Sequence, residues 1–357
     1  MLSFITSLGR ITTIGVEGTN SYGAELARFL RQGGVVVVEA IRPTRQVRRL
    51  RGKSDPIDAY AAAHTVLAGH DLPTPKNADG DAEAIRVLTI ARRSALKART
   101  AAAVQIKSLL VTAPEALRAR FRGLNDADLH AQLAAVRPGP ATEGIQPATL
   151  TAMRHLARRH RALTTEITEL ETDLDTLVTR VAPALRAAHG IGPVTAAPLL
   201  IAAGDNPDRL TSEASFAALC GAAPIPASSG KTTRYRLNPG GDRQANAALH
   251  QIILVRMTCD PRTRSYIAKR TAQGKSDKEV MRYLKRAVAR EVYHHIVHPQ
   301  PVPQVDDLRP LRHAKGMTLQ TIADHFNVWP AHISTIERGK RRDDDLANRY
   351  REWLLAA

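Results

Sequence analysis

The stretch Ile11-Thr12-Thr13-Ile14-Gly15-Val16-Glu17-Gly18-Thr19-Asn20-Ser21-Tyr22-Gly23 leads into Ala24 to Arg31, apolar at helical spacing, and Gly33-Gly34 separates that run from Val35 to Val38. The β-branched run Ile11 to Val16 predicts a strand, the polar glycine-bounded segment a turn, and Val35 to Val38 a buried strand. Strand, helix and strand in that order make a β-α-β unit. Glu17 ends the first strand, where open α/β sheets place ligands beyond the carboxyl ends of their strands. It is a candidate site residue, although an acid leading into a helix also serves simply to offset the macrodipole.

Further along, Arg42, Arg45, Arg48, Arg49, Arg51 and Lys53 form a basic run, and Ser54-Asp55-Pro56-Ile57-Asp58-Ala59 opens a helix continuing to Leu67. Ser54 is placed to cap it. Asp55 and Asp58 are three residues apart and project from one face of a first turn. With Glu17 they make an oxygen-rich set suited to Mg²⁺, which takes few protein carboxylates and keeps positions for water and phosphate oxygens. The plainer reading is a pair of first-turn acids; the preceding cations favour phosphate chemistry.

The whole chain is basic. Its 357 residues carry 51 Lys and Arg against 34 Asp and Glu, a net charge of +17. That is the footprint of a phosphate-rich partner, with nucleic acid ahead of an anionic membrane surface. No run of 18 apolar residues and no signal-peptide pattern occurs, so a cytoplasmic protein is expected. Cys220 and Cys259 are too few and too isolated for a disulfide framework or a zinc knuckle.

After a polar break at Leu72 to Asp81, Ala82 to Leu110 reads as one long helix. A second, Leu150 to Val181, follows the broken region Pro138 to Pro147. Their apolar spacing suits an antiparallel hairpin or a coiled coil between subunits, and hence a homo-oligomer, dimer or tetramer. His189-Gly190-Ile191-Gly192-Pro193 then joins two helices. Gly190 and Gly192 would let backbone amides approach a phosphate, as in helix-hairpin-helix modules, or serve only a tight turn.

Pro224 to Asn246 places Ser228-Ser229-Gly230 ahead of Lys231, Arg234 and Arg236, then turns at Asn238-Pro239-Gly240-Gly241 before a helix. A hydroxyl becomes an effective nucleophile when its geometry is fixed and nearby charge stabilises the group under attack. Ser229 has such neighbours, and a flexible Ser-Gly turn is the alternative. Tyr266 to Arg290 reads as a broad basic helical face including Lys275, suited to a nucleic-acid backbone. Beyond the Pro-rich linker, Thr318 caps a short helix containing Gln320, Ala323 sits where two helices cross, and Asn327 suits a left-handed turn. This is a helix-turn-helix pattern. Pro330 to Glu337 is its recognition helix, with Ala331, His332, Ser334 and Thr335 nearest to base edges.

Taken as an ordered set, Val16 to Gly23, Gly52-Lys53-Ser54-Asp55-Pro56-Ile57-Asp58-Ala59, Gly190-Ile191-Gly192-Pro193, Gly221-Ala222-Ala223-Pro224, Ser228-Ser229-Gly230-Lys231 and Gly274-Lys275-Ser276 resemble the DEDD transposases of the insertion-sequence one-hundred-ten and eleven-eleven group. These are RNA-guided recombinases, and the resemblance covers about residues 11 to 296. It implies a mixed α/β and α chain: a partial RNase H-like (RuvC-like) domain over 1–75, a long-helix, coiled-coil arm over 76–183, and a mainly helical transposase domain over 184–297. A linker at 298–305 and a helix-turn-helix bundle at 306–357 complete the expected order. By resemblance Glu17, Asp55 and Asp58 are three of four Mg²⁺-binding acids, Ser229 is the nucleophile with Ser228 as the fallback, and DNA and a guide RNA are partners.

The family's first Asp lies on a strand ahead of the Glu segment, and Ser3 to Gly9 offers no acid in its place. The expectation is therefore a chain truncated at its N-terminus relative to the family. The terminal helix-turn-helix resembles Cro/repressor-type regulators and stands outside the family's usual core. Three functions follow: cleavage and rejoining of DNA by serine attack assisted by Mg²⁺-bound carboxylates, DNA binding or repression without catalysis, and a RuvC-like junction nuclease that uses acids and needs no serine.

Overall fold

A computed structural model describes residues 2–7, 9–40, 54–69, 72–226, 228, 230, 235–236, 238, 240–302, 304–339 and 343–356. They fall into two compact units, Met1–Ala84 with Val181–Ala357, and Ile85–Arg180. Helices dominate and the described strands form two two-stranded sheets, in keeping with a mixed α/β and α chain. No helix among the described residues is long and apolar enough to cross a membrane.

The first unit begins with α1 (Leu2–Ser7), β1 (Thr13–Glu17), α2 (Ala24–Gln32), β2 (Val36–Ala40) and α3 (Asp55–Ala68). The strands pair in parallel, from Thr13 opposite Val36 to Glu17 opposite Ala40. Each strand ends one or two residues beyond the β-branched run that announced it, so Glu17 lies inside β1. Val16, Ala27, Leu30 and Val37 form the core beneath α2. The connecting turn is closed by hydrogen bonds. Gly18 takes φ +68° and its carbonyl accepts the amides of Ser21 and Gly23 at 2.8 and 3.0 Å. A Cβ on Gly23 would lie 2.4 Å from the Glu17 carbonyl oxygen, which excludes any side chain there. α3 crosses the sheet at Gly15, where a Cβ would meet the Ala62 carbonyl oxygen and Val66, each at 2.9 Å.

The polar segment 72–80, expected as a break, is a hydrogen-bonded strap. The Glu39 amide of β2 donates to the Pro73 carbonyl at 3.0 Å, and Arg28 and Arg31 of α2 donate to the carbonyls of Ala78 and Asn77 at 3.0 and 2.5 Å. On its other side Lys76 donates to Ile201 O at 2.6 Å, Asn206 Nδ2 to Pro75 O at 3.0 Å, and the Ala82 amide to Asp205 Oδ1 at 2.6 Å.

The second unit is an antiparallel helical hairpin closed by two short helices. α4 (Asp81–Thr112) is followed by α5 (Glu115–Phe121), α6 (Asp126–Ala135) and α7 (Ile145–Val181). Ile106 packs with Phe121, Leu129, Leu133, Met153 and Ala157 near the closed end, while Arg92 and Glu171 pair at 2.5 Å farther along. The two contacts fix opposite helix directions within one chain. Val87, Ile90, Val104 and Val111 remain exposed along α4.

The helical body of the first unit comprises α8 (Pro183–Ala187), α9 (Pro193–Ala203), α10 (Glu213–Leu219), β3 (Ile225–Pro226), β4 (Tyr235–Arg236), α11 (Arg243–Cys259), α12 (Pro261–Ala272) and α13 (Asp277–Val297). α9 is buried nearly all round, through Ala196, Ala197, Leu199, Leu200, Ala202 and Ala203, as its apolar composition requires. The basic stretch Tyr266 to Arg290 is two helices. Gly274 at φ +76° breaks it, and Ser276 and Glu279 form a capping box that starts α13. Val280, Leu284, Val288 and Val292 are the buried stripe of that helix, leaving its cations outside.

Four further helices, α14 (Leu308–Ala314), α15 (Leu319–Phe326), α16 (Pro330–Glu337) and α17 (Asp344–Ala356), surround Ile322, Ala323, Ile333, Ile336, Leu346 and Tyr350. The Thr318 hydroxyl accepts the Thr321 amide at 3.1 Å, and Asn327 adopts φ +52° between α15 and α16. Inside the bundle Arg312 donates to Glu337 at 2.6 and 3.0 Å, and the Tyr350 hydroxyl donates to the same carboxylate at 2.9 Å. Removing one partner leaves a buried charge uncompensated, so Arg312→Ala should cost the bundle about 3–5 kcal/mol. Denaturant titration with hydrogen exchange at residues 308–356 measures this; unchanged protection would show that the pair does not hold the bundle.

Candidate functional site

The hairpin β3–β4 pairs Ile225 with Arg236 and Pro226 with Tyr235, and the Ser228-Ser229-Gly230 connection lies between them. Ser228 is exposed and Gly230 takes φ +55°. Ser229, Lys231 and Arg234 lie outside the described residues, as do Arg48, Arg49 and Lys53. The base of the hairpin is well defined. Gly221, at φ +64° after α10, meets Gly241 so closely that a Cβ on Gly241 would lie 2.2 Å from the Gly221 nitrogen. The Asp242 amide donates to Leu219 O at 2.7 Å, and the Asp242 carboxylate caps α11 by accepting the amides of Gln244 and Ala245.

Asn246, on the first turns of α11, completes the base. Its Nδ2 donates to the carbonyls of Cys220 and Gly221 at 2.9 and 3.2 Å, and its Oδ1 accepts from Lys285 Nζ of α13 at 2.7 Å. Burial lowers the Lys285 ammonium from its ordinary value. Burial, helped by the Asp242 charge, pushes the Cys220 thiol up to about 12, so Cys220 is an inert core residue. Sequence reading gives Asn246 and Lys285 no individual role, since the contact joins residues 39 apart and Lys285 stands among many cations on α12 and α13.

Of the acids, Glu17 is half-buried at the end of β1, Asp58 is half-buried on the first turn of α3, and Asp55 is exposed. Ser54 occupies the N-cap position but its side chain makes no capping bond. α3 touches the sheet at Ala62, about 10 Å along the axis from Asp55 at 1.5 Å per residue. Among the described residues no three His, Cys, Asp or Glu side chains stand together as a group able to hold a metal ion. Glu39, which the sequence reading passes over, takes a hydrogen bond from the buried Thr19 hydroxyl, tying the turn after β1 to β2.

The glycine hairpin between α8 and α9 uses its amides internally. Ile191 donates to Ala188 O at 3.1 Å and Gly192 to Thr195 Oγ1 at 3.0 Å, while Gly190 takes φ +76° over Arg256. Arg256 in turn donates to His189 O at 2.8 Å and to both oxygens of Glu291 at 2.6 and 2.7 Å. Gly190, Gly192, Ala331, His332 and Thr335 line one cavity. Of the polar residues on α16, His332 lies 3.3 Å from Asp343 and the Thr335 hydroxyl donates to His332 O at 2.8 Å; Ser334 is half-buried and Ala331 exposed. Gln320 is exposed and donates to Asp324 at 2.6 Å, and Lys275 is half-buried in the turn between α12 and α13.

Two family models match this chain. One, described as the transposase IS116/IS110/IS902 family, matches residues 182–268, and the other, a DEDD transposase model for IS110, matches residues 2–113. The chain belongs to the IS110 family of transposases. The first match takes in the glycine hairpin, the serine connection and Asn246; the second takes in Glu17, Asp55 and Asp58. An IS110 element protein of 43.6 kDa from Streptomyces coelicolor is 30% identical over 176 residues, 48% of this chain and 42% of its own length. An IS900 element protein of 42 kDa from Mycobacterium paratuberculosis is 27% identical over 279 residues, 67% of this chain and 70% of its own. This IS110-family chain thus spans less than half the length of the first of these relatives.

Two expectations follow from the geometry. Gly241→Ala forces its Cβ into the Gly221 backbone and should lower stability by about 1–3 kcal/mol, the usual cost of overpacking, read as a drop in thermal midpoint. For Glu291, burial alone would raise the carboxyl, but hydrogen bonds and charge from Arg256 and His295 outweigh it and hold the group down to about 2. Its folded value lies below the unfolded one, so its stabilisation is complete above the ordinary glutamate range and is lost as pH falls toward 2. Glu291→Gln should flatten the acid limb of a stability–pH profile in that window; an unchanged limb would refute the pairing.

Proposed function

We propose that the protein cuts and rejoins DNA for insertion-sequence movement, with Ser229 as nucleophile. The observation that carries this reading is the closed base at Gly221, Gly241 and Asn246, which brings the ends of a serine-bearing segment together inside a region matched by the transposase family. A hydroxyl held on such a loop, followed by Lys231 and Arg234, is equipped for attack on a phosphodiester. The Ser229 oxygen forms a bond to phosphorus, the bond from phosphorus to a deoxyribose oxygen breaks, and that oxygen leaves with a proton. The phosphoserine ester keeps the phosphate activated for rejoining. By family resemblance Glu17, Asp55 and Asp58 would hold Mg²⁺, which would supply charge stabilisation at the phosphate. DNA is the substrate on this reading; a guide RNA and a homo-oligomer follow from family resemblance and from the exposed apolar side chains along α4.

A second reading is a DNA-binding protein without catalysis, acting through α15 and α16 as a helix-turn-helix. It is favoured by the capped α15, the left-handed Asn327 and the exposed Trp329 at the start of α16. One experiment separates the two. The full chain, isolated with the RNA it carries, is incubated with labelled duplexes covering the DNA that flanks its gene. Ser229→Ala should abolish covalent adducts while leaving affinity and its salt slope unchanged. Binding with no adduct from the unaltered chain would instead support the second reading.

A further inference from the structure

The base of the β3–β4 hairpin is held by a neutral amide and a cation. Asn246 Nδ2 reaches the carbonyls of Cys220 and Gly221, just past the end of α10, where helix carbonyls lack partners within the helix. An asparagine amide can present either face, and only one has hydrogens to give. Lys285 settles the choice. Its ammonium is a donor only, so at 2.7 Å it fixes Oδ1 toward α13 and turns Nδ2 toward the hairpin. Lys285 is half-buried, and among the described residues no carboxylate forms an ion pair with it. Desolvating an ammonium without an opposite charge is costly, and an apolar side chain would fill the same space between α11 and α13 at lower cost.

We propose that Asn246 and Lys285 are positioning residues for the segment that carries Ser229, Lys285 orienting the amide and the amide fixing the base of the β3–β4 hairpin. The proposal rests on the reading of Ser229 as nucleophile. Loss of either contact leaves the fold standing, because Gly221 and Gly241 still meet, but frees the loop to move by a distance that matters for attack.

The test uses the full chain with its RNA and the flanking duplexes, comparing Lys285→Met, Lys285→Arg and Asn246→Ala. Lys285→Met should slow adduct formation about tenfold or more, as misplacement of a reacting group does, with DNA affinity and thermal midpoint unchanged. Hydrogen exchange over 222–240 should quicken in the same variant. Lys285→Arg keeps a donor cation and should restore most of the rate; Asn246→Ala should behave as Lys285→Met does. Adducts at the unaltered rate in Lys285→Met, no rescue by Lys285→Arg, or unchanged exchange over 222–240 would each overturn the proposal. If the unaltered chain forms no adduct, the serine reading itself falls, and exchange over 222–240 still decides whether Lys285 and Asn246 hold the hairpin.

Discussion

Asp205 and Asn206, in the turn after α9, bind the strap at residues 72–80 and the first turn of α4 and thereby join the β-α-β unit to the helical body. The strap has no regular structure to satisfy its backbone groups, so side chains must do it: Asn206 both donates to Pro75 and accepts from Asn77, while Asp205 accepts from Ala82. Arg28 and Arg31 hold the other edge through the carbonyls of Ala78 and Asn77. Space there is tight. Cβ atoms on Gly80 and Gly204 would fall 2.7 and 2.9 Å from Asp205 and Lys76.

The helical body uses the same device at smaller scale around the serine connection. Two strands of two residues each cannot stabilise a hairpin alone. Its stability is borrowed from the ends: the glycine-on-glycine contact, the Asp242 cap and the Asn246–Lys285 bridge are anchored in helices that bury Phe216, Leu249, Ile252 and Val288. Ser228 is exposed while these contacts hold the base of the hairpin, in line with the usual division between a scaffold and the loops it carries.

Local signals in the sequence led to local structure. The β-branched runs at Ile11 and Val35, the Gly33-Gly34 stop, Thr318 as a cap and Asn327 as a left-handed residue each depend on the chemistry of one or a few adjacent side chains, and each takes the conformation that chemistry favours. Elements lacking such a signal were harder to place. α5 and α6 are short helices between the long ones, held by contacts with Ile106 and Met153 from distant parts of the chain. The break between α12 and α13 hides in a continuous basic pattern, because charge reports the outer face while Gly274 and the Ser276–Glu279 capping box mark the turn.

The same division applies to the site. The sequence by itself determined the family, the strong net positive charge and the residue types that could act, since these depend on composition and on ordered motifs. Only the tertiary structure decided that segment 72–80 is a strap, that Glu39 partners Thr19, and that Asn246 and Lys285 meet at the base of the β3–β4 hairpin. It also decided that Glu17, Asp55 and Asp58 do not stand together as a metal group among the described residues. The physical reason is range: helix periodicity, caps and turns are encoded over a few residues, whereas a hydrogen bond across 39 residues or a close approach of two glycines exists only once the chain has packed.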